Sequence, residues 1–364
     1  MQINYVPTRL TTMTPRFKKI TTLAPSILLA AALVSCGGGG GGSSGSGGGS
    51  GGTPAPTYQS IVTSVPAATY TSTDNTAISN QITSIRQGIG AGLLPQNTPL
   101  DKAANNHANF LVNNNLVNAA YLTSSYGGIL GGHYENSTLP GYTGTSPQAR
   151  ATAAGYAGTV TELMTFGAAS GTDCMASLDD SVYHLIDLIS PFIDLGIEFN
   201  AGNVSGSVCA IELGVGSTTL GQLPAAGSLV FYPDAGQVNI PPTFYNQAEV
   251  PVPAPDLPSS GHPVVVSLYT LATPSLNGSD IVIHTFSITP SGGAALGVRV
   301  LVNTGVTSDG PTLTVDNVIP GAGFVVLLPT APLVANTLYN LSFTATIKGQ
   351  VVSKTWSFTT GIAN

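Results

Sequence analysis

Five acidic or imidazole side chains between residues 132 and 191 could bind a metal ion or transfer protons: His133, Glu135, Glu162, Asp180 and His184. His133 and Glu135 are two residues apart, so their side chains point to the same side of an extended segment. Glu162 lies in the run VTELMTF, where a carboxylate among apolar neighbours is costly unless it is paired. Two imidazoles with carboxylates could hold a divalent ion and leave one coordination position open, as zinc hydrolases do.

The spacing of these residues matches no zinc signature such as H-E-x-x-H, so three interpretations remain open. The first is a binding site for a divalent cation such as Zn²⁺ or Ca²⁺ held by His133 and His184, for a lipid, or for a cell-wall or host-surface component. The second is a metal-dependent hydrolase that uses the same cleft. The third is a structural surface module whose polar cluster only stabilises the fold. No oriented nucleophile is evident for an enzyme, because Ser181 has only His184 nearby and is predicted to lie on a helix surface.

Helices must position these residues, and the apolar spacing predicts where they lie. Residues 74–94 carry isoleucines and a leucine at three- and four-residue steps, which predicts a helix with one apolar stripe. A second helix follows, on which His107 faces inward as a core residue. Residues 146–155 predict a short third helix, and residues 177–180 predict the start of a fourth. His184 then lies on the flank of the fourth helix, where a pocket could reach it.

The sequence after residue 192 predicts mainly β-strands. Residues 193–199, 207–213 and 228–232 are strand-like runs and predict an antiparallel meander, so helices followed by a sheet indicate an α+β fold. Residues 233–263 are rich in proline and predict an extended connector. Residues 264–364 contain β-branched and aromatic runs separated by turn residues, which predict an all-β sandwich.

The first 35 residues resemble a bacterial export signal, with four basic residues, no acid and a short apolar run. That run ends in Leu-Val-Ser directly before Cys36, which resembles a lipobox and implies a lipidated Cys36 that anchors the protein to a membrane. An ordinary cleaved signal is the alternative. Residues 36–57 are mainly Gly and Ser and predict a flexible tether. Gly37, in place of an aspartate, favours the outer membrane, facing the periplasm or the cell surface.

The net charge and the cysteine content indicate which classes of partner and which compartment to expect. Removing the signal leaves six Lys and Arg against seventeen Asp and Glu, a net charge of −11. Such an acidic chain has no footprint for phosphate backbones, so nucleic acid is not an expected partner. Apart from Cys36, the chain has Cys174 and Cys209, which in an oxidising compartment predict one disulfide, with two free thiols as the alternative.

Short motifs in a defined order give the chain a resemblance to a known family. His107-Ala, Gly-His133, PGYTGTSPQARATAAGY, the Glu162 segment and S-V-Y-His184 together resemble the CAP superfamily in its bacterial SCP/PR1-like branch, over roughly residues 75–232. The resemblance implies a three-layer α-β-α sandwich, secretion, and a cleft lined by two His and two Glu. By position, His133 and His184 correspond to the cleft histidines and Glu162 to the first glutamate.

The chain also departs from this pattern. Leu163 follows Glu162 where the family usually has an asparagine-type residue, and Leu185 follows His184 where bacterial members usually have an arginine. The second cleft glutamate is absent, and Asp180 or its neighbour Asp179, or Glu135, would have to replace it. Because the resemblance implies binding more often than turnover, and because the set of four is incomplete, we expect a binding protein rather than an enzyme.

The end of the chain resembles bacterial Ig-like domains, which close with an "N-T-x-Y" strand and a terminal "W-x-F-T-T". Here these are N-T-L-Y at residues 336–339 and W-S-F-T-T at residues 356–360. The predicted organisation is therefore a signal peptide (1–35), a tether (36–57), a CAP domain (58–232), a Pro-rich linker (233–263) and an Ig-like sandwich (264–364).

Overall fold

The computed structural model describes residues 56–203 and 206–362, which lie in one compact unit of residues 52–364. The predicted signal peptide, Cys36 and nearly all of the predicted tether lie outside the described residues. Within the described residues, no helix has both the length and the apolar character needed to cross a membrane.

The helices begin at residues that can satisfy exposed backbone N–H groups. Ser72, Asn97 and Ser146 each accept a hydrogen bond from the first turn of the helix that follows. The helices are, in chain order, α1 (Thr73–Gly88), α2 (Thr98–Asn113), α3 (Ala119–Leu122), α4 (Pro147–Ala154), α5 (Gly171–Asp179) and α6 (Tyr183–Ile189). The fourth predicted helix was wrong in its start, because residues 177–179 end α5 and a separate helix begins at Tyr183.

The strands form two larger sheets, one three-stranded sheet and two small ribbons. In chain order they are β1 (Thr57–Ser60), β2 (Ser125–Tyr126), β3 (Ile129–Leu130), β4 (Thr159–Phe166), β5 (Asp194–Asn203), β6 (Gly206–Val215), β7 (Thr219–Leu223), β8 (Val230–Tyr232), β9 (Val264–Ser267), β10 (Ile281–Pro290), β11 (Val298–Val302), β12 (Thr307–Ser308), β13 (Leu313–Val315), β14 (Phe324–Pro329), β15 (Leu338–Ile347) and β16 (Gln350–Thr359). The predicted α+β character is confirmed: helices are combined with sheets whose strand pairs are mainly antiparallel, apart from the parallel pairs β1–β7, β10–β12 and β11–β13.

The three-stranded sheet has the order β4-β6-β5 and carries helices on both faces. Successive side chains of a strand point to opposite faces, so neighbours in β4 enter different cores. Leu163 packs with residues of α1 and α5, whereas Met164 packs with residues of α2. Glu162 has the same parity as Met164 and therefore lies on the α2 side.

Cys174 and Cys209 form a disulfide, as the sequence predicted. It joins α5 to β6, and both cysteines are fully buried. The bond therefore fixes the helical layer on the Leu163 side to the central strand of the sheet.

The strand near residue 230 is not part of the predicted meander. Val230–Tyr232 pairs antiparallel with β9, in a five-stranded sheet of order β13-β11-β14-β9-β8. The prediction was wrong because all three residues of β8 are buried in a core that includes Ile186 of α6. The same core contains residues of this five-stranded sheet and of a four-stranded sheet of order β12-β10-β15-β16, and these two sheets together are the sandwich. The helical part and the sandwich therefore share one continuous hydrophobic core.

The proline-rich segment is packed rather than free. Phe244 and Ala254 join the same core, and Glu249 and His262 are buried. The prediction of an extended connector did not include this packing. Proline content indicates the backbone conformation of a segment, but it does not indicate which residues the intervening side chains contact.

Candidate binding groove

Two adjoining chambers form a groove that contains both predicted cleft histidines. The histidine chamber has a volume of ≈ 390 Å³ and is lined by His133 and His184. The acidic chamber has a volume of ≈ 530 Å³ and is lined by Asp180, Glu249 and, again, His184. Residues common to both chambers are Met164, Phe166, His184 and Ala248. Apolar residues lining the histidine chamber are Val117, Ala119, Leu122, Leu130, Met164, Phe166, Ala248 and Val250.

His133 reaches the histidine chamber from a 3₁₀ turn, Gly131–His133, that follows β3. Its Nδ1 atom lies 2.9 Å from Oε2 of Glu162. An ionised carboxylate only accepts hydrogen bonds, so Nδ1 carries the proton and Nε2 is the nitrogen available to a ligand. The side chain is 27% exposed, which makes it accessible from the chamber.

Glu162 is fully buried behind His133 and is held by Arg150 of α4. One guanidinium nitrogen of Arg150 donates to both carboxylate oxygens, at 2.6 and 2.8 Å. Burial alone would raise the pKa of Glu162, but the charge of Arg150, aided by His107 and His133, holds that pKa well below its usual range. The carboxylate that orients His133 therefore stays ionised.

Glu212 is a buried acid that the sequence analysis did not single out. It is the cross-strand partner of Glu162 in the β4–β6 register, where two like charges side by side are unfavourable. Burial, and then the charge of Glu162, raise the pKa of Glu212 well above its usual range. A neutral Glu212 beside an ionised Glu162 gives this pair a single negative charge. The signal that could have found it is an acid inside the apolar run CAIELGV.

Glu135 does not join His133 at the groove. Its carboxylate turns into the interior and accepts hydrogen bonds from the backbone N–H groups of Thr143, at 2.7 Å, and Gly144, at 3.3 Å. It also contacts Nδ1 of His107 at 3.1 Å, and the side chains of Glu135 and His107 are both fully buried. The 3₁₀ turn interrupts the extended backbone on which the two side chains were predicted to point the same way. His107 is a core residue, as predicted.

His184 lies in the first turn of α6, and its Nδ1 atom is 3.1 Å from Oε1 of Glu249. Glu249 is buried and also accepts the backbone N–H groups of Val182, Tyr183 and His184, at 2.7, 2.8 and 3.2 Å. A carboxylate at a helix N-terminus is favoured by the helix dipole. Glu249 thus caps the helix and orients its histidine at once.

The sequence analysis missed Glu249 because it placed residues 233–263 in a connector. One signal was available: Glu249 is the only charged residue between Asp234 and Asp256. A single acid in an otherwise uncharged segment needs a partner if that segment is buried.

The other end of α6 is held by Arg86, which is buried. Its guanidinium donates to the backbone oxygens of Gly92 at 2.6 Å, Leu188 at 2.7 Å and Ser190 at 2.9 Å. Burial lowers the pKa of Arg86 to about 9, which leaves it cationic at neutral pH. An acid at the start of α6 and a cation at its end both complement the helix dipole, so the helix that carries His184 is fixed at both ends.

Asp180 lines the acidic chamber, and its Oδ1 atom lies 3.0 Å from Nδ1 of the buried His262. Ser181 is buried, not on a helix surface as predicted, because its hydroxyl donates to the backbone oxygen of Leu178 at 2.6 Å. With its proton committed to that oxygen and no base bonded to it, Ser181 is not arranged as a nucleophile.

The fit of a divalent ion depends on which ligand atoms face the groove. His133 and His184 both line the histidine chamber, and holding Nδ1 on a carboxylate is how proteins commonly orient a metal-binding imidazole. Glu162 and Glu135 are committed to Arg150, His107 and backbone N–H groups. Among the described residues no group of three or more His, Cys, Asp or Glu could hold a metal ion. The two imidazoles alone supply fewer ligands than the three of a typical catalytic zinc site.

The groove therefore combines an apolar wall with two fixed imidazoles and an acidic end, an arrangement suited to holding a small molecule. In comparisons with known proteins, no protein-family model matches the chain, and no curated protein is significantly similar to it.

Proposed function

We propose that the chain is an exported, membrane-tethered binding protein whose groove holds an apolar or amphipathic molecule. The observation that carries the proposal is the histidine chamber, in which two oriented imidazoles face a wall of apolar side chains. Its volume of ≈ 390 Å³ falls within the range of small-molecule sites. Ser181 is not proposed as a nucleophile, because it donates its proton to the backbone oxygen of Leu178.

In this proposal residues 58–232 contribute most of a CAP domain of the SCP/PR1-like branch, and the C-terminal part is an Ig-like sandwich. Support comes from the motifs around His107, His133, Glu162 and His184, and from a three-stranded antiparallel sheet that has helices on both faces. The family resemblance further implies secretion and ligand binding.

A neutral fluorescent probe tests the binding role. N-phenyl-1-naphthylamine brightens in apolar pockets, so the purified protein should enhance its emission in a saturable way. Ala248→Trp, at an exposed residue shared by both chambers, should reduce the affinity about tenfold or more by filling the groove. Ala294→Trp, at an exposed position in the sandwich part, is the matched control. Binding that Ala248→Trp leaves intact would reject the groove as the site. Organic extraction of the purified protein followed by mass spectrometry would identify a carried lipid.

A divalent ion is the second candidate, favoured by the carboxylate on each Nδ1 atom. Calorimetric titration of Zn²⁺ or Ca²⁺ into the wild type and into the His133→Ala, His184→Ala double variant tests it. Heat from the wild type alone would support the ion, and equal heats would exclude these histidines as ligands.

The membrane tether rests on the sequence around Cys36, and Cys36→Ser tests it. We expect the variant to leave the membrane fraction for the medium or the periplasm, because it lacks the acylated sulfur. An unchanged distribution between fractions would refute lipidation at this residue.

A further inference from the structure

We infer that the groove selects amphipathic ligands whose head group is a primary ammonium, with the head in the acidic chamber and the hydrocarbon part in the histidine chamber. This inference rests on the proposed binding function and adds the chemical class of the ligand. It follows from the charges and the hydrogen-bonding capacity of the side chains that line the two chambers.

The first argument is charge. Among the described residues that line the two chambers, none is Lys or Arg, whereas Asp180 and Glu249 both line the acidic chamber. Arg150, the nearest cation to His133, is fully buried and committed to Glu162. An anionic head group would therefore lose its hydration without gaining a counter-charge, which is strongly unfavourable.

The second argument is hydrogen-bonding capacity, because most polar side chains of the acidic chamber offer acceptors to a ligand, with the hydroxyls of Thr165 and Tyr245 as the exceptions. Ser177 donates its hydroxyl proton to the backbone oxygen of Asp173 at 3.0 Å, and Ser181 donates its own to that of Leu178 at 2.6 Å. Both hydroxyls keep only oxygen lone pairs for a ligand. A primary ammonium has three N–H donors and no acceptor, which complements such a lining.

The third argument concerns which side chain can contact the ammonium group of the ligand. Glu249 is already saturated by three backbone N–H groups and by His184. Asp180 uses Oδ1 on His262, but its side chain is 20% exposed and its second oxygen is available to a ligand. Tyr245, 60% exposed, lines the same chamber and offers an aromatic face to a cation. Asp180 is therefore the head-group contact.

The fourth argument is the path for the hydrocarbon chain. Met164, Phe166 and Ala248 belong to both chambers, so an apolar passage leads from the acidic end towards His133. A ligand with a polar head and an apolar tail can occupy both chambers without burying its charge among apolar side chains.

Three probes with the same twelve-carbon chain test the head-group preference on the full chain: dodecylamine, 1-dodecanol and dodecanoate. Calorimetric titration at neutral pH, below the micellar concentration of each probe, should give an affinity for the amine about tenfold or more above that for the carboxylate, with the alcohol between them. Equal affinities, or a tighter carboxylate, would overturn the inference and leave the proposed binding function standing. Binding of none of the three would count against the binding function itself.

Variants locate the preference. Asp180→Asn should weaken dodecylamine binding about fivefold or more and leave dodecanol unchanged, because it removes a charge and keeps the shape. Asp309→Asn, which removes a 67%-exposed acid in the sandwich part, is the matched control and should change neither affinity. Because Asp180 also holds His262, Ser177→Lys provides an independent variant at an exposed residue of the chamber. It should weaken the amine and strengthen the carboxylate; an unchanged ranking in both variants would refute the assignment of the head group to this chamber.

Discussion

His133 and His184 line the same chamber, but the structure fixes them by different means. The carboxylate of Glu162 holds His133 and is itself neutralised by the buried cation of Arg150, from an element 12 residues away along the chain. The carboxylate of Glu249 holds His184 and is stabilised by backbone N–H groups, from a segment 65 residues further along the chain. One histidine depends on a local balance of buried charges, and the other depends on distant parts of the chain remaining docked.

The largest expected effect comes from breaking the charge balance behind His133. Arg150→Leu leaves Glu162 buried without its cation and should lower the free energy of unfolding by about 3–5 kcal/mol. Arg299→Leu is the matched control, because Arg299 pairs with Asp256 at the surface, where solvent screening leaves such a pair little effect on stability. Urea unfolding followed by the fluorescence of Trp356, the single tryptophan, measures both variants. Similar losses in the two would show that the buried pair is not the stronger one.

The next largest effect comes from removing the acid behind His184. Glu249→Ala leaves three N–H groups of α6 without their acceptor and should lower the free energy of unfolding by about 2–4 kcal/mol. Because Nδ1 of His184 lies 3.1 Å from Glu249, the variant should also change the populations of the His184 ring tautomers in NMR spectra. Gln247→Ala, at an exposed residue two positions before Glu249, is the control and should change stability by no more than about 0.5 kcal/mol. A His184 tautomer that stays unchanged in Glu249→Ala would contradict the orienting role.

The two histidine regions should also respond to pH with opposite signs. Desolvation raises the pKa of Asp187, one turn after His184, from 3.8 to about 7, with His184 opposing and Glu249 adding to the shift. The folded state therefore binds a proton between these pH values, and this contribution to stability is lost as pH rises through about 7. Glu162 behaves in the reverse way, because its lowered pKa gives stability that is present above about 4.5 and lost on acidification.

Asp187→Asn tests the pH dependence that Asp187 contributes to stability, because asparagine resembles the protonated acid. It should raise the free energy of unfolding at pH 8 by about 1 kcal/mol or more and change it little at pH 4. Glu162→Gln should instead destabilise the protein at pH 8. Chemical denaturation at the two pH values checks both, and a destabilised Asp187→Asn at pH 8 would contradict the assigned shift.

The smallest effect concerns the contact between α6 and the sandwich. The hydroxyl of Tyr183 donates to Oδ2 of Asp316 at 2.8 Å. Tyr183→Phe should cost about 1–2 kcal/mol of stability, the range for a hydrogen bond to a charged group with partial exposure. Tyr245→Phe, at an exposed tyrosine, should be neutral in the same thermal or chemical denaturation. Equal effects would mean that this bridge adds nothing to the docking of α6.

Local signals predicted the parts of the fold that are locally determined. The cap before α4 and the apolar spacing of α1 follow from the residues themselves, and the pairing of Cys174 with Cys209 follows from their number and from the oxidising compartment that the sequence predicts. The sheet to which Val230–Tyr232 belongs could not be predicted in this way. Its apolar residues suit either sheet, and only packing against both α6 and the sandwich selects one.

The same division holds in the groove. The sequence brought His133, Glu162 and His184 together through a family resemblance, and the structure places the two histidines on one chamber with Glu162 directly behind His133. Glu135 was not predictable as an interior residue, because its direction is set by the backbone N–H groups of Thr143 and Gly144. Glu249 contacts His184 only through tertiary packing, and no local sequence pattern predicts a contact between residues so far apart in the chain.

The pairing of β8 with β9 has a consequence for how the molecule can be divided or inherited. Cutting the chain after residue 232, at the predicted domain boundary, would strand β8 without its partner and remove Glu249 from His184. A recombination event that exchanged the C-terminal half for an unrelated sandwich would impair the histidine groove in the N-terminal half. The two halves are therefore expected to be inherited together as one unit. A truncated N-terminal fragment would lack Glu249 and would not reproduce the groove of the full chain.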